Sequence, residues 1–203
     1  MPASRPQKPW PMKWVLLAII VVIVPYTYLT LHYRKPGPAF RPYEDTKNRA
    51  VTIRLLSTGY QRIALDATRP ADPLRSAASA PSAPAAGGLP SALTGALIDP
   101  PILPVSIDSV IAPASASASQ PYAIQFTCTL ADNKALLAGG HLYRRDGEII
   151  VVPSFEALGG GLQARTRDSV VLLTVPAGAL KPGSYAVTLA GSRTSRQWSL
   201  QVH

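Results

Sequence analysis

"GGHLYRRDGEIIVVPS", residues 139–154, decides how the C-terminal half of this chain folds. Asp146-Gly147 stands between two apolar runs. A two-residue type I′ turn needs φ > 0 at both central positions, and Asp-Gly reaches that conformation at little steric cost. The stretch predicts a β-hairpin, one strand ending at Arg145 and the next starting at Glu148.

The flanking sequence continues the pattern. In "PYAIQFTCTLAD" (121–132), Ile124, Phe126, Cys128 and Leu130 share one face of a strand, with Gln125, Thr127 and Thr129 on the other. "DSVVLLTVP" (168–176) reads as a buried strand. "GSYAVTLAGSRTSRQWSLQV" (183–202) gives two more, with Tyr185, Val187 and Leu189, then Trp198, Leu200 and Val202, facing inward. "ILPVSIDSVIAP" (102–113) supplies a first strand. Short strands separated by turn residues, with no long helical period competing, predict a mainly β fold with an antiparallel β-sandwich over residues 98–203.

At "LKPGSYAVTLAG" (180–191) the chain resembles bacterial immunoglobulin-like and fibronectin-like sandwiches, which often carry a Leu-x-Pro-Gly-x-Tyr stretch before their penultimate strand. The matching residues are Leu180, Pro182, Gly183 and Tyr185. The resemblance implies an Ig-like fold and brings no catalytic residues with it. The paired cysteines of antibody-type domains are absent, since Cys128 is the only cysteine and its place in the pattern makes it a buried, inert thiol.

Residues 70–97, "PADPLRSAASAPSAPAAGGLPSALTGAL", change character. No aromatic residue occurs between Tyr60 and Tyr122. Such Ala/Ser/Pro/Gly composition predicts a flexible linker, because little apolar area is available to offset roughly 1–2 kcal/mol of backbone ordering per residue. Before it lies a juxtamembrane segment, residues 34–69. There Asp45 or Thr46 caps a short helix that Gly59 stops, with Ala50, Ile53 and Leu56 as its apolar edge. That helix is expected on the membrane surface, on a partner protein, or as a solvated connector. "YQRIALDA" (60–67) reads weakly as a strand.

"PMKWVLLAIIVVIVPYTYLTLHYRK" (11–35) predicts a transmembrane anchor over residues 14–33, preceded by a basic tail, residues 1–13. About 20 apolar residues suffice to span a bilayer. No small-x-small cleavage site appears before Pro36, so the segment reads as uncleaved. Trp10 and Trp14 at one end, and Tyr26, Tyr28 and Tyr33 with Arg34 and Lys35 at the other, are the expected membrane-interface residues. Met12, before Lys13-Trp14, is a second candidate start. The basic residues after the span favour a cytoplasmic C-terminal side. The basic tail before it and the ease with which long domains cross favour the opposite, and the expectation is a single pass through a bacterial inner membrane with a periplasmic C-terminal domain.

The formal charge of +9 is uneven: residues 1–75 hold twelve Lys/Arg against four Asp/Glu, and residues 76–203 hold eight against seven. A basic excess next to the span points to anionic lipid, and away from nucleic acid. His32, His141 and His203 have no metal-ligand spacing, and neither a nucleophile elbow nor a phosphate loop is present; "ALGGGLQART" (157–166) lacks the required Lys. Arg144-Arg145 and Arg165/Arg167 read as protection of a sheet edge. No cofactor, metal or small-molecule substrate is implied. The expected function is that of a non-catalytic accessory or interaction protein of the envelope with a membrane or envelope protein as partner. The plan is similar to that of small single-pass proteins with exposed β-sandwiches that accompany bacterial respiratory oxidases as subunits or assembly helpers. The alternative is an envelope structural or glycan-binding module.

Overall fold

The computed structural model describes residues 11–33, 42–71 and 79–203. The chain divides into two units, Met1–Tyr43 and Glu44–His203.

In the first unit, α1 runs over Met12–Tyr33 and contains Pro25. It is long and apolar enough to cross a membrane, and none of its apolar window is buried against protein. Trp14, Tyr26, Tyr28 and Tyr33 are all exposed on it. Trp10, Arg34 and Lys35 lie outside the described residues. Pro25 has no N–H to give the carbonyl one turn back. Thr30 Oγ1 donates instead to the carbonyl of Tyr26, 2.7 Å away, so it does not replace the missing bond.

The second unit begins within α2 (Pro42–Ser57), at its third residue. The helix ends as its sequence dictates. Gly59 takes φ 80°, its N–H bonds the Leu56 carbonyl, and the Tyr60 N–H reaches back to Leu55. This is a Schellman ending, and its hydrophobic contact unites Leu55 and Tyr60 in one buried cluster. There follow β1 (Gln61–Thr68), β2 (Ala83–Ala86), α3 (Ser91–Ala96), β3 (Ser106–Ile111), β4 (Ser115–Ala116), β5 (Tyr122–Thr129) and β6 (Ala135–Arg145). The hairpin partner β7 (Glu148–Ala157), then β8 (Asp168–Val175), β9 (Gly183–Leu189) and β10 (Thr194–Val202) complete the domain.

The strands lie on one hydrogen-bonded path, β2-β10-β9-β7-β6-β1-β8-β5-β3, with β4 also on β10. This path is a curled open sheet. Its corner is β1, which pairs β6 through Gln61–Leu65 and β8 through Asp66–Thr68. A strand that changes partners along its length lets a sheet fold back over its own core. Across the opening, Arg196 donates from Nε to the Ile107 carbonyl at 3.1 Å and from Nη2 to Asp108 O at 2.9 Å. The hairpin is formed as expected: Asp146 and Gly147 have φ 46° and 81°, and Arg145 pairs Glu148. The expectation of purely antiparallel pairing is corrected. β7 pairs β9 in parallel, because β8, the strand between them in sequence, sits elsewhere in the sheet.

Two apolar clusters flank the β6–β7 hairpin. Inside the curl, Ile124, Phe126, Cys128, Val151, Leu173, Leu189, Trp198 and Leu200 form the main core. The Trp198 indole N–H donates to the Tyr122 hydroxyl at 3.2 Å, which donates to the Pro113 carbonyl at 2.9 Å. On the hairpin's other face, Tyr143, Ile150 and Val152 meet Val51 and Leu55 of α2, Tyr60, and Leu93 and Ala96 of α3. This explains the unbroken run Ile149-Ile150-Val151-Val152: all four residues are buried because both faces of β7 are covered.

That second cluster corrects two expectations. Within the expected linker 70–97, the described residues 79–97 are built into the domain. β2 pairs β10 from Ala83 to Ala86, Ala80 is buried, and Leu93 is 0% exposed. At Gly87 a Cβ would meet the Arg193 carbonyl carbon at 2.3 Å, so only glycine lets these chains approach so closely. The segment has few apolar residues, but it places them against a preformed face, and burying a Leu there contributes about 1.5–3 kcal/mol. The second correction concerns α2, which docks on its own domain through Val51 and Leu55. The expected edge residues Ile53 and Leu56 point the other way, 63% and 64% exposed.

Candidate functional site

Beside this second cluster the domain carries a cleft of about 450 Å³, lined by α2, the 97–102 segment and the outer face of β1, β6 and β7. Its walls are apolar, from Val51, Leu97, Ile102, Val152 and Phe155, and its polar groups include Arg62, His141, Tyr143, Ser154, Glu156, and Lys47 with Asp99. Pro100 and Pro101 stiffen the segment that carries Asp99, and Asp99 accepts an ion pair from Lys47. Ile102 bridges to Phe155 and fixes the far end of that segment.

β1 and β6 bring Arg62 and His141 together through the register Arg62↔Tyr143 and Ala64↔His141. The Arg62 Nη2 donates to His141 Nε2, which therefore carries no proton. Burial, then the charge of Arg62, pushes the His141 pKa down to about 4. The imidazole is neutral at physiological pH, with the lone pair that could act as a general base bound to a cation. The cleft thus combines apolar walls, one guanidinium with N–H groups to spare, and a balanced rim.

The arginines expected at a sheet edge do other work. β6 lies between β7 and β1, so Arg144 and Arg145 are not on an edge. Arg144 donates from Nη1 to Ala179 O at 3.3 Å and from Nη2 to Gln61. The guanidinium of Arg145 sits 4.5 Å from the centre of the Tyr60 ring and 3.6 Å from Glu148. Arg165 and Arg167 lie in the loop before β8, in a shallow depression with Asp132 and Asn133. His203 is exposed at the terminus, and Cys128 is fully buried with its thiol pushed up to about 12, first by burial and then by Asp108. Among the described residues no three His, Cys, Asp or Glu side chains converge.

Sequence reasoning weighed His141 singly, found no carboxylate partner for Glu156, and did not bring Lys47, Arg62, Asp99 or Glu156 to His141. Strand register assembles Arg62, His141 and Glu156, and the packing of α2 and the 97–102 segment adds Lys47 and Asp99; neither is visible in any short window. No family model, curated protein or solved structure matches this chain.

Proposed function

We propose that this chain is a membrane-anchored, non-catalytic accessory or interaction protein of the bacterial envelope, a subunit or assembly factor of a larger membrane complex, with the respiratory oxidases as the first complex to test. The observation that carries this reading is α1, a 22-residue helix with Trp14 near its start, Tyr26, Tyr28 and Tyr33 toward its end, and apolar residues exposed all round. An all-round apolar helix has no place in water. In this reading α1 spans the inner membrane and the β domain stands in the periplasm. The absence of catalysis is supported by the occupied Nε2 of His141 and the buried, protonated thiol of Cys128.

The β domain is proposed as a distant member of the Ig-like sandwiches. The support is the Leu180–Tyr185 corner, where the Tyr185 hydroxyl donates to the Lys181 carbonyl four residues upstream at 2.9 Å. Such a tyrosine corner leads into the penultimate strand of many Ig-type sandwiches. The parallel β7–β9 pair departs from the Ig pattern. The decisive experiment is affinity purification in mild detergent with identification of every co-eluting chain. A stoichiometric membrane-protein partner is expected; a solitary protein, or one retained by purified cell wall, would turn the assignment toward the envelope structural or glycan-binding module.

A further inference from the structure

We propose that the cleft beside the second cluster is a binding site for a small monocarboxylate with an apolar body. All of its lining residues belong to the second unit, so the inference holds whether or not α1 spans a membrane. One end of the cleft presents two hydrogen-bond donors. Arg62 and Tyr143 are direct partners across β1 and β6, which brings their side chains together on the outward face of the sheet. Arg62 gives an N–H to His141, a guanidinium carries five, and among the described residues no carboxylate pairs with it. The His141 contact therefore holds the guanidinium in place and leaves its charge uncompensated. Tyr143 is 3% exposed, yet it lines the cleft. Burial and the charge of Arg62 act on its hydroxyl, which makes no hydrogen bond among the described residues. A buried tyrosine hydroxyl ordinarily has a partner. A carboxylate suits both groups, because its two oxygens accept from a guanidinium and a hydroxyl at once.

The rest of the cleft selects what the carboxylate is attached to. Val51, Leu97, Ile102, Val152 and Phe155 offer apolar walls, which favour an organic acid over inorganic phosphate. The floor is open where Gly139 faces Ser154 across β6 and β7, and a Cβ on Gly139 would meet nothing within 4 Å. A volume of about 450 Å³ is in the range of small-molecule sites. Glu156 stands four residues beyond Val152, the partner of His141, which is about 13 Å along β7 at ~3.3 Å per residue. It is too distant to oppose a charge at Arg62 and placed to repel a second one, so one carboxylate fits and two do not. A peptide finds no strand to join here. β6 is paired on both sides from Gly140 to Arg144, and Ile102 already bridges Phe155 on β7.

Isothermal titration of the full chain in mild detergent, with the signal of micelles alone subtracted, tests this. The probes are 4-phenylbutanoate and octanoate, their uncharged amides, hexanedioate, inorganic phosphate, and the peptide N-acetyl-Ala-Leu-Phe with a free C-terminal carboxylate. At least one of the two small monocarboxylates should bind saturably. Its amide, hexanedioate and phosphate should bind about tenfold more weakly or worse, since a hydrogen bond to a charged group is worth at least that factor. Arg62→Gln should weaken the acid by about tenfold or more. Tyr143→Phe keeps the ring in the cluster and should weaken it several-fold, and Ser154→Leu, which fills the floor, should abolish saturable binding. Urea midpoints of the variants separate lost binding from lost fold, and the comparison of acid with amide needs no variant. The proposal is overturned if neither small acid binds, or if acid and amide bind alike. Folded Arg62→Gln and Tyr143→Phe that both bind the acid as the natural chain does would also overturn it. Binding of the peptide where neither small acid binds would assign the cleft to a protein C-terminus and overturn it likewise.

Discussion

Leu93→Ala tests the least expected feature of the fold, the docking of an Ala/Ser/Pro-rich segment onto the β6–β7 hairpin. Leu93 is 0% exposed, in a six-residue helix whose only other buried residue is Ala96. Its side chain meets a cluster fed by α2, Tyr60, β6 and β7. Truncating a buried Leu to Ala costs about 2–5 kcal/mol, with smaller losses where the surroundings can collapse. Because α3 is short and can shift inward, the expected loss is in the lower half of that range, roughly 2–3 kcal/mol. For a domain of this size that corresponds to a fall in Tm of about 5–10 °C. Urea unfolding of the full chain in detergent, followed through the buried Trp198, measures it. Ile53→Ala on the exposed side of α2 is the control, with an expected change under about 0.5 kcal/mol. A flexible linker makes the opposite statement, that Leu93→Ala is as silent as Ile53→Ala. An unchanged midpoint would refute the docking of residues 79–97 and, with it, the account of why all of Ile149–Val152 is buried.

Other expectations follow from single geometries. Gly147→Ala forces an L side chain to φ 81° and should cost about 1–2 kcal/mol in the same urea assay. His141 has a pKa lowered to about 4 in the fold, so the unfolded chain binds the extra proton first. Stability from this group is intact above its unfolded pKa of about 6.5 and declines as pH falls from there toward 4. Allowing for the solvent that reaches the ring, the loss should be roughly 1–2 kcal/mol. His141→Gln should flatten that part of the stability–pH curve, and an unchanged slope would show that the fold does not hold the His141 ring neutral. Cys128 should resist maleimide in the native chain and react promptly in urea; rapid native labelling would contradict its place in the core.

Much of this molecule is legible along the chain because its signals are local. Asp146-Gly147 needs only its own φ angles to make a turn, and Gly59 only its own to end α2. The alternation in residues 122–130 marks a buried face whatever the neighbours are, and the uninterrupted apolar run of α1 requires no partner for its length to be read. What the tertiary structure decided is pairing. Whether Leu93 floats or is buried depends on a face made by Tyr143, Ile150 and Val152, some fifty residues later in the chain. Which side of α2 turns inward depends on that same face, so helical spacing alone favoured Ile53 and Leu56 over Val51 and Leu55. The cleft's Arg62 and His141 meet through strand register, and the parallel β7–β9 pair through the path of the sheet. Composition measures how much apolar area a segment brings; only the fold supplies the surface on which that area is buried.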